Sequence, residues 1–331
     1  MRRGRVVMDV IESDVLAGNA AGDPATRTVP VYLPPGYDAT TRRYPVIYVL
    51  SGFTGRGRML LNDNLWAPPL DQRMDALNAA GAREAILVMP DCATRYGGSQ
   101  YLDSTATGRY ATHLVAELVP WIDSRYRTLA ARDHRGVAGK SSGGYGALVH
   151  GMTHADVFGA VACHSGDMLF DYCYRGDIPK FCTRLQQGGG LTAWLAAFES
   201  APHKKHEDLE ALNILAMAAA YSPNPAAPLG IDLPCDLETG AFRDQVWARW
   251  LEHDPLRMAG RHRDALASLR LLYLDCGTRD EFHLHHGLRQ MRRTLDALTV
   301  PYRAEEFDDG HMNVGYRYET SLPLLAAALA P

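Results

Sequence analysis

Continuous apolar, β-branched runs recur along the chain, separated by segments in which apolar residues return every three or four positions. YPVIYVLSGF (Tyr44–Phe53), EAILVMPD (Glu84–Asp91), VFGAVACHSG (Val157–Gly166) and LRLLYLDCG (Leu269–Gly277) are such runs, and RGVAG (Arg135–Gly139) is a shorter one. Runs of this length and composition predict strands buried on both faces. RTVPVYLPPGYD (Arg27–Asp38) alternates apolar and polar positions and breaks at Pro-Pro-Gly, which predicts a strand and a turn. YRAEEFDDG (Tyr302–Gly310) is more polar, as suits an edge strand. The intervening segments carry the helical period. LDQRMDALNAAG starts near Asp71 and stops at Gly81, a glycine suited to a C-cap. YATHLVAELVPWIDSRY (Tyr110–Tyr126) places Leu114, Leu118, Trp121 and Ile122 on one face. GYGALVHGMTH, HHGLRQMRRTLDAL (His285–Leu298) and SLPLLAAALA complete the helical set.

Buried strands alternating with helices predict an α/β protein with a mostly parallel central sheet covered on both sides. About 100 residues depart from this alternation. Asp167 to Leu266 holds helical pieces such as LTAWLAAFES and DLEALNILAMAAAYS, and no clear strand. The expected organisation is one domain over residues 1–331. Its core is 1–166 and 267–331, and a helical lid is inserted over the strand ends at 167–266.

Composition narrows the function classes. The chain has 331 residues, 47% of them hydrophobic, and a formal net charge of −4. No long Lys/Arg block stands out, so nucleic acid is not an expected partner, and Arg261-His262-Arg263 reads as a solvated helix face. The opening MRRGRVVMDVIESDV sets three arginines before an apolar stretch, but Asp9, Glu12 and Asp14 break that stretch too early for a signal segment. No run approaches the roughly 18 apolar residues of a membrane span. A soluble, cytoplasmic protein with no membrane partner is therefore expected, with homo-oligomerisation left open. Six cysteines include no CxxC pair, which speaks against structural zinc. Cys163 and Cys276 fall in apolar strands as small hydrophobes, and a Cys173–Cys182 bridge stays open. The HLHH run (His283–His286) suits a surface or rim role better than a metal site. No metal or organic cofactor is expected.

The candidate chemistry lies in RGVAGKSSGGYGALVHG (Arg135–Gly151). Gly139-Lys140-Ser141-Ser142-Gly143 matches G-x-S-x-G between a strand and a helix. Such a turn exposes a serine hydroxyl above the sheet, and small residues two before and two after keep it free of clashes. This register makes Ser141 the candidate nucleophile. Ser142 would start the helix and offer its backbone N–H to an oxyanion. A nucleophilic serine needs a base and an orienting acid, which follow it in the order acid, histidine in this fold class. His311, in FDDGHMN after the last strand, is the candidate base. Asp275, Asp280 and Glu281 are the acid candidates, with Asp280 further into its loop and better placed to reach. Asp308 and Asp309 precede His311 too closely and read as turn residues. The loop YVLSGFTGRG supplies Phe53 N–H as the second oxyanion donor.

Taken together, VYLPPGYD, YPVIYVLSGFTG, ILVMPD, GVAGKSSGGYGAL, FGAVACHSGD, DCGTRDEF and DDGHMN resemble, in order, the esterase family of α/β-hydrolases. That family includes esterase D (S-formylglutathione hydrolase), enterochelin esterases, feruloyl esterases and mycolyltransferases. The resemblance covers roughly residues 27–166 and 267–325. It implies an α/β-hydrolase fold, Ser141 as nucleophile, Asp280 as acid, His311 as base, and oxyanion donors from Phe53 and Ser142. Lys140 and Ser142 stand where many members carry His and Met, and the TCTDEN run of S-formylglutathione hydrolases is replaced by TGRGRMLLN.

The implied activity is hydrolysis of a small or aromatic, apolar carboxylic ester through an acyl-enzyme. An S-acyl thioesterase or an acyltransferase would use the same residues. A catalytically silent binding protein on this scaffold is the alternative of another class. Trp66, Tyr101, Tyr145, His164, Met168 and Phe170 are the candidate substrate-binding residues.

Overall fold

The apolar runs become strands whose carboxyl ends meet on one side of a single sheet. The computed structural model describes residues 3–331. The first strands are β1 (Arg5–Glu12), β2 (Thr26–Leu33), β3 (Val46–Leu50) and β4 (Ile86–Val88). A small antiparallel ribbon follows, β5 (Asp103–Ser104) with β6 (Gly108–Arg109). The sheet is completed by β7 (Arg135–Lys140), β8 (Ala160–His164), β9 (Leu271–Gly277) and β10 (Arg303–Phe307). Its order is β1-β2-β4-β3-β7-β8-β9-β10. β2 runs antiparallel to β1 and β4, and β4, β3, β7, β8, β9 and β10 are mutually parallel. This is the mostly parallel, helix-flanked sheet expected of an α/β-hydrolase.

Side-chain alternation divides the apolar residues between two cores. On one face Leu50, Val137, Val161 and Leu274 pack with Leu148 of the helix Ser142–Thr153. On the other, Val49, Ala138, Ala162 and Tyr273 meet Met74 of the helix Leu70–Ala79 and Leu322 of the helix Tyr318–Ala328. Strands covered on both faces have no polar side to show, which is why they read as continuous runs.

β1 was not anticipated from the pattern. RVVMDVIE lies along the sheet edge, paired from Arg5↔Leu33 to Glu12↔Thr26, with most side chains at least partly exposed. Its charges break the apolar pattern and also discourage edge-to-edge pairing. β10 lies on the opposite edge, as its polar sequence predicts.

Between β8 and β9 the chain adds no strand to the sheet. Its longer helices are Ile178–Gln187, Leu191–Ser200, His206–Tyr221 and Asp244–Leu251. Phe170, Trp194 and Trp250 from this segment join the same core as the strands. All six cysteines are buried, unpaired thiols. The Cys173–Cys182 bridge is therefore not formed. Cys182 instead donates to the Asp236 carbonyl at 3.4 Å, with Cys235 beside it.

One buried histidine ties the helix Ser142–Thr153 to a neighbouring loop. His150 Nε2 donates to the Tyr101 carbonyl at 3.1 Å. Burial, helped by His154, pushes its imidazole down to about 3. The unfolded chain binds this proton near pH 6.5, while the folded protein refuses it until about pH 3. Between those values the unfolded state holds more protons, so acid favours unfolding. The melting temperature is expected to fall as pH drops below about 6.5. His150→Gln, which keeps a donor for Tyr101 without titrating, should flatten that fall in thermal melts across the window. Equal slopes for the two proteins would refute the assignment.

Candidate active site

Ser141 follows β7, which has β3 on one side and β8 on the other. Its backbone sits at φ 59°, ψ −127°, a strained conformation for a residue with a side chain. The turn closes because its flanks carry no side chain. A Cβ on Gly139 would lie 2.2 Å from the Gly143 carbonyl oxygen, and one on Gly143 would lie 2.1 Å from the Leu50 carbonyl oxygen. Both obstacles are backbone and cannot step aside. Gly143→Ala is expected to cost more than the roughly 1–3 kcal/mol of ordinary core overpacking. A denaturant midpoint unchanged from the parent would contradict this.

The loops after β9 and β10 bring a carboxylate and an imidazole to this serine. Ser141 Oγ lies 2.9 Å from His311 Nε2, and His311 Nδ1 lies 2.7 Å from Asp280 Oδ2. Asp280 and His311 are buried, whereas Ser141 is only half-buried. Burial alone would raise the Asp280 carboxyl. The hydrogen bond and charge of His311, with the Phe282 and Leu284 N–H groups, outweigh it and hold the carboxyl below its ordinary range. The third acid candidate, Glu281, takes a different position: its carboxylate accepts the His311 backbone N–H at 2.6 Å. The Phe282 ring meets the imidazole edge-on with centroids 4.7 Å apart.

The expected backbone donors are Phe53, in the loop after β3, and Ser142, which directly follows the serine. The loop after β3 passes so close that a Cβ on Gly52 would lie 4.0 Å from Ser141 Oγ. Tyr101 fixes this loop by donating its hydroxyl to the Ser51 carbonyl at 2.6 Å. Among the described residues, no protein group accepts from the N–H of Phe53 or of Ser142. A developing negative charge on a carbonyl oxygen can take such free donors. Lys140 is half-buried, and burial lowers its ammonium despite the opposing fields of Asp280, Asp167 and Glu281.

Asp275, the remaining acid candidate, is committed elsewhere. Its carboxylate accepts from His164 Nδ1 at 2.8 Å, Tyr273 at 3.0 Å and Arg317 Nε at 2.8 Å. His164 Nε2 lies 2.8 Å from Ser321 Oγ. His164 is thus a buried link between the sheet and the helix Tyr318–Ala328, not a cleft residue. Its backbone still matters to the elbow, because its carbonyl accepts the Ser141 N–H at 2.9 Å.

Four of the other candidate substrate contacts, Tyr101, Tyr145, Met168 and Phe170, are packed inside the protein. Tyr101 and Tyr145 are buried, and Tyr145 donates to the His253 carbonyl at 3.1 Å. Met168 packs where a Cβ on Gly287 would be. Phe170 is enclosed by Tyr145, Tyr174 and Tyr221. Trp66 is 88% exposed. The pattern misled because apolar and aromatic residues that pack an insertion onto a core look the same in sequence as residues that line a cleft.

The structure also reveals partners that sequence spacing did not signal. Asp167 accepts from Tyr174 at 2.7 Å, Gln100 at 3.1 Å and Ser142 Oγ at 3.4 Å. Burial raises its carboxyl. Arg317 binds Asp275 and Glu305 a few residues after His311, anchoring that loop to β9 and β10. The HLHH histidines lie at and around the start of the helix Leu284–Ala297. Among the described residues, no three His, Cys, Asp or Glu side chains converge as metal ligands. No helix among them is long and apolar enough to cross a membrane.

The profile of the Esterase family, described as "Putative esterase", matches residues 24–319. The chain belongs to this esterase family. Its motif order had pointed to the same group. Esterase Rv1288 of Mycobacterium tuberculosis (strain ATCC 25618 / H37Rv) is 34% identical over 145 residues, 42% of this family member and 28% of that protein. The chain therefore matches little more than a quarter of that relative's length. A solved ferulic acid esterase superposes with a TM-score of 0.65 at 22% identity, covering 99% of this chain and 100% of the other. An S-formylglutathione hydrolase from Agrobacterium tumefaciens gives 0.59 at 16% identity, covering 100% and 97%. At these identities the structural likeness speaks for the fold.

Proposed function

We propose that this esterase-family chain hydrolyses carboxylic esters, with Ser141 as nucleophile, His311 as general base and acid, and Asp280 as the orienting carboxylate. The observation that carries this reading is the continuous array of hydroxyl, imidazole and carboxylate, at 2.9 and 2.7 Å, on a strained turn. Asp280 holds the proton on His311 Nδ1, which leaves Nε2 free to take the hydroxyl proton as Oγ attacks the ester carbonyl. The N–H groups of Phe53 and Ser142 receive the oxyanion. His311 then protonates the leaving alcohol, and water repeats the sequence on the acyl-enzyme. The Phe282 ring against His311 favours a small ester with an apolar or aromatic part.

A fluorophosphonate probe tests the assignment directly. It should label the purified protein once, on the peptide bearing Ser141, and block hydrolysis of p-nitrophenyl acetate in proportion to labelling. Labelling elsewhere, or hydrolysis that survives full labelling, would overturn it. Turnover of S-acyl glutathiones much faster than of p-nitrophenyl esters would move the substrate class to thioesters.

A further inference from the structure

The helix Leu284–Ala297 carries more positive charge than its surroundings neutralise. Arg289, Arg292 and Arg293 stand on it with His285 and His286, and its one acid, Asp296, lies near its far end. Among the described residues, Glu306 of β10 is the one carboxylate within ion-pair distance of these arginines. It accepts from Arg289 Nε at 3.0 Å and Nη2 at 2.6 Å, and lies 3.8 Å from Arg292. Arg293 has no ion-pair or hydrogen-bond partner among the described residues. A surface cavity of about 330 Å³ opens beside it. Tyr172, from the segment after β8, lines one side, and His286, Arg289, Gln290 and Arg293 line the other. These four positions are spaced three or four apart and share one helical face. The Tyr172 and His286 rings meet edge-on with centroids 5.8 Å apart.

We propose that this cavity binds an oxyanion, a carboxylate or phosphate group borne by a small molecule. Every side chain that lines it carries a hydrogen-bond donor, and none is a carboxylate. The Tyr172 hydroxyl, the His286 ring, the Gln290 amide and the Arg293 guanidinium have no hydrogen-bond partner among the described residues. A cation would meet two guanidiniums here. An apolar ligand would strip water from the donors and return nothing. A carboxylate or phosphate instead accepts two parallel N–H bonds from a guanidinium fork, with the neutral donors completing its shell. His286 also lies in the first turn of its helix, at the positive end of the helix dipole. Burial, with the positive fields of His286 and Arg289, lowers the adjacent His285 imidazole, in keeping with unneutralised charge at this place. The cavity neighbours the candidate active site. The His283 and His286 rings are 6.5 Å apart, and Phe282, next in the chain to His283, stands 4.7 Å from the His311 ring. The oxyanion can therefore be part of the ester or a separate molecule. The first source rests on the esterase reading above, and the binding site itself does not.

Calorimetry with inorganic phosphate and with glutarate, at low ionic strength, tests the site without catalysis. The parent protein should bind each at one site. Arg293→Ala should weaken binding roughly tenfold, the scale of a charge-assisted hydrogen bond. Arg293→Lys, which keeps the charge and loses the fork, should recover part of that loss. Gln290→Glu, which sets a carboxylate in the wall, should weaken binding as well. Positions 290 and 293 are exposed, so the melting curves of all three variants should overlay the parent's. Two esters of equal acyl length then identify the source. The p-nitrophenyl monoester of glutarate ends in a carboxylate, and p-nitrophenyl valerate ends in a methyl group. If the ester bears the oxyanion, the parent should favour the glutarate ester, and Arg293→Ala should shrink the ratio of the two kcat/KM values roughly tenfold. If the oxyanion is a separate molecule, that ratio should be the same in both proteins while phosphate binding still falls. Either result supports the site. Absence of phosphate and glutarate binding, with a ratio that Arg293→Ala does not move, would overturn it. So would binding that survives both Arg293→Ala and Gln290→Glu at full strength. Failure of the esterase reading looks different, since neither ester would then be hydrolysed while calorimetry would still report on the cavity.

Discussion

Ser141→Ala should reduce ester hydrolysis by roughly 10⁶-fold in kcat, the scale of losing a serine nucleophile. Both free N–H groups survive the change, so a small excess over the uncatalysed rate should persist. The fold should be untouched, because Ser141 Oγ serves no partner besides His311 among the described residues. Its melting curve should overlay the parent's. The neighbouring Ser142→Ala should behave differently. It removes a 3.4 Å hydrogen bond to Asp167 and keeps the backbone N–H that the oxyanion needs. Its kcat should stay within about threefold of the parent, since the lost hydrogen bond is long and Asp167 keeps Tyr174 and Gln100 as donors. Comparable losses in both variants would mean that the elbow register is wrong.

The parts of this reading that were legible in the sequence share a physical cause. Strands buried on both faces must be apolar throughout, so β3, β4, β7, β8 and β9 announced themselves. The elbow was legible because a close backbone approach excludes side chains, and glycine is the only residue that permits it at 139 and 143. His311 could be picked from thirteen histidines by its place after the last strand. What could not be read was lateral. Whether Met168 or Phe170 faces a cleft or a neighbouring helix depends on packing between segments far apart in the chain. The same holds for Arg317, which reaches back to Asp275 across 42 positions. Trp66 is largely exposed, and aromatic character alone does not separate the wall of a cleft from an open surface.

The choice of acid shows how chemistry can be duplicated without function. The described residues hold two arrays of serine, histidine and aspartate. Ser321, His164 and Asp275 are joined at 2.8 Å and 2.8 Å, almost the same spacing as at Ser141. All three are buried, at 0%, 1% and 2% exposure. No substrate carbonyl can reach Ser321. It sits within a helix, where no sharp turn presents its hydroxyl. The difference between the arrays is access and backbone, not side-chain geometry.

Asp280→Asn and Asp275→Asn therefore separate the two arrays by their consequences. At position 280 an amide can donate to His311 Nδ1 and so leave the ring proton on Nε2, where it blocks uptake of the serine proton. A loss of roughly 10⁴-fold in kcat is expected, with little change in stability. At position 275 the same substitution removes the negative charge that faces Arg317 and His164 in a buried setting. Breaking such a pair costs roughly 3–5 kcal/mol. That loss should appear as a lower denaturant midpoint, while kcat of the folded protein stays within about tenfold, because His311 keeps its own carboxylate. Arg317 also tethers the loop that carries His311, so the residual effect should appear in kcat before KM. If Asp275→Asn proved the more damaging to kcat and Asp280→Asn the more damaging to stability, the roles assigned to the two carboxylates would have to be exchanged.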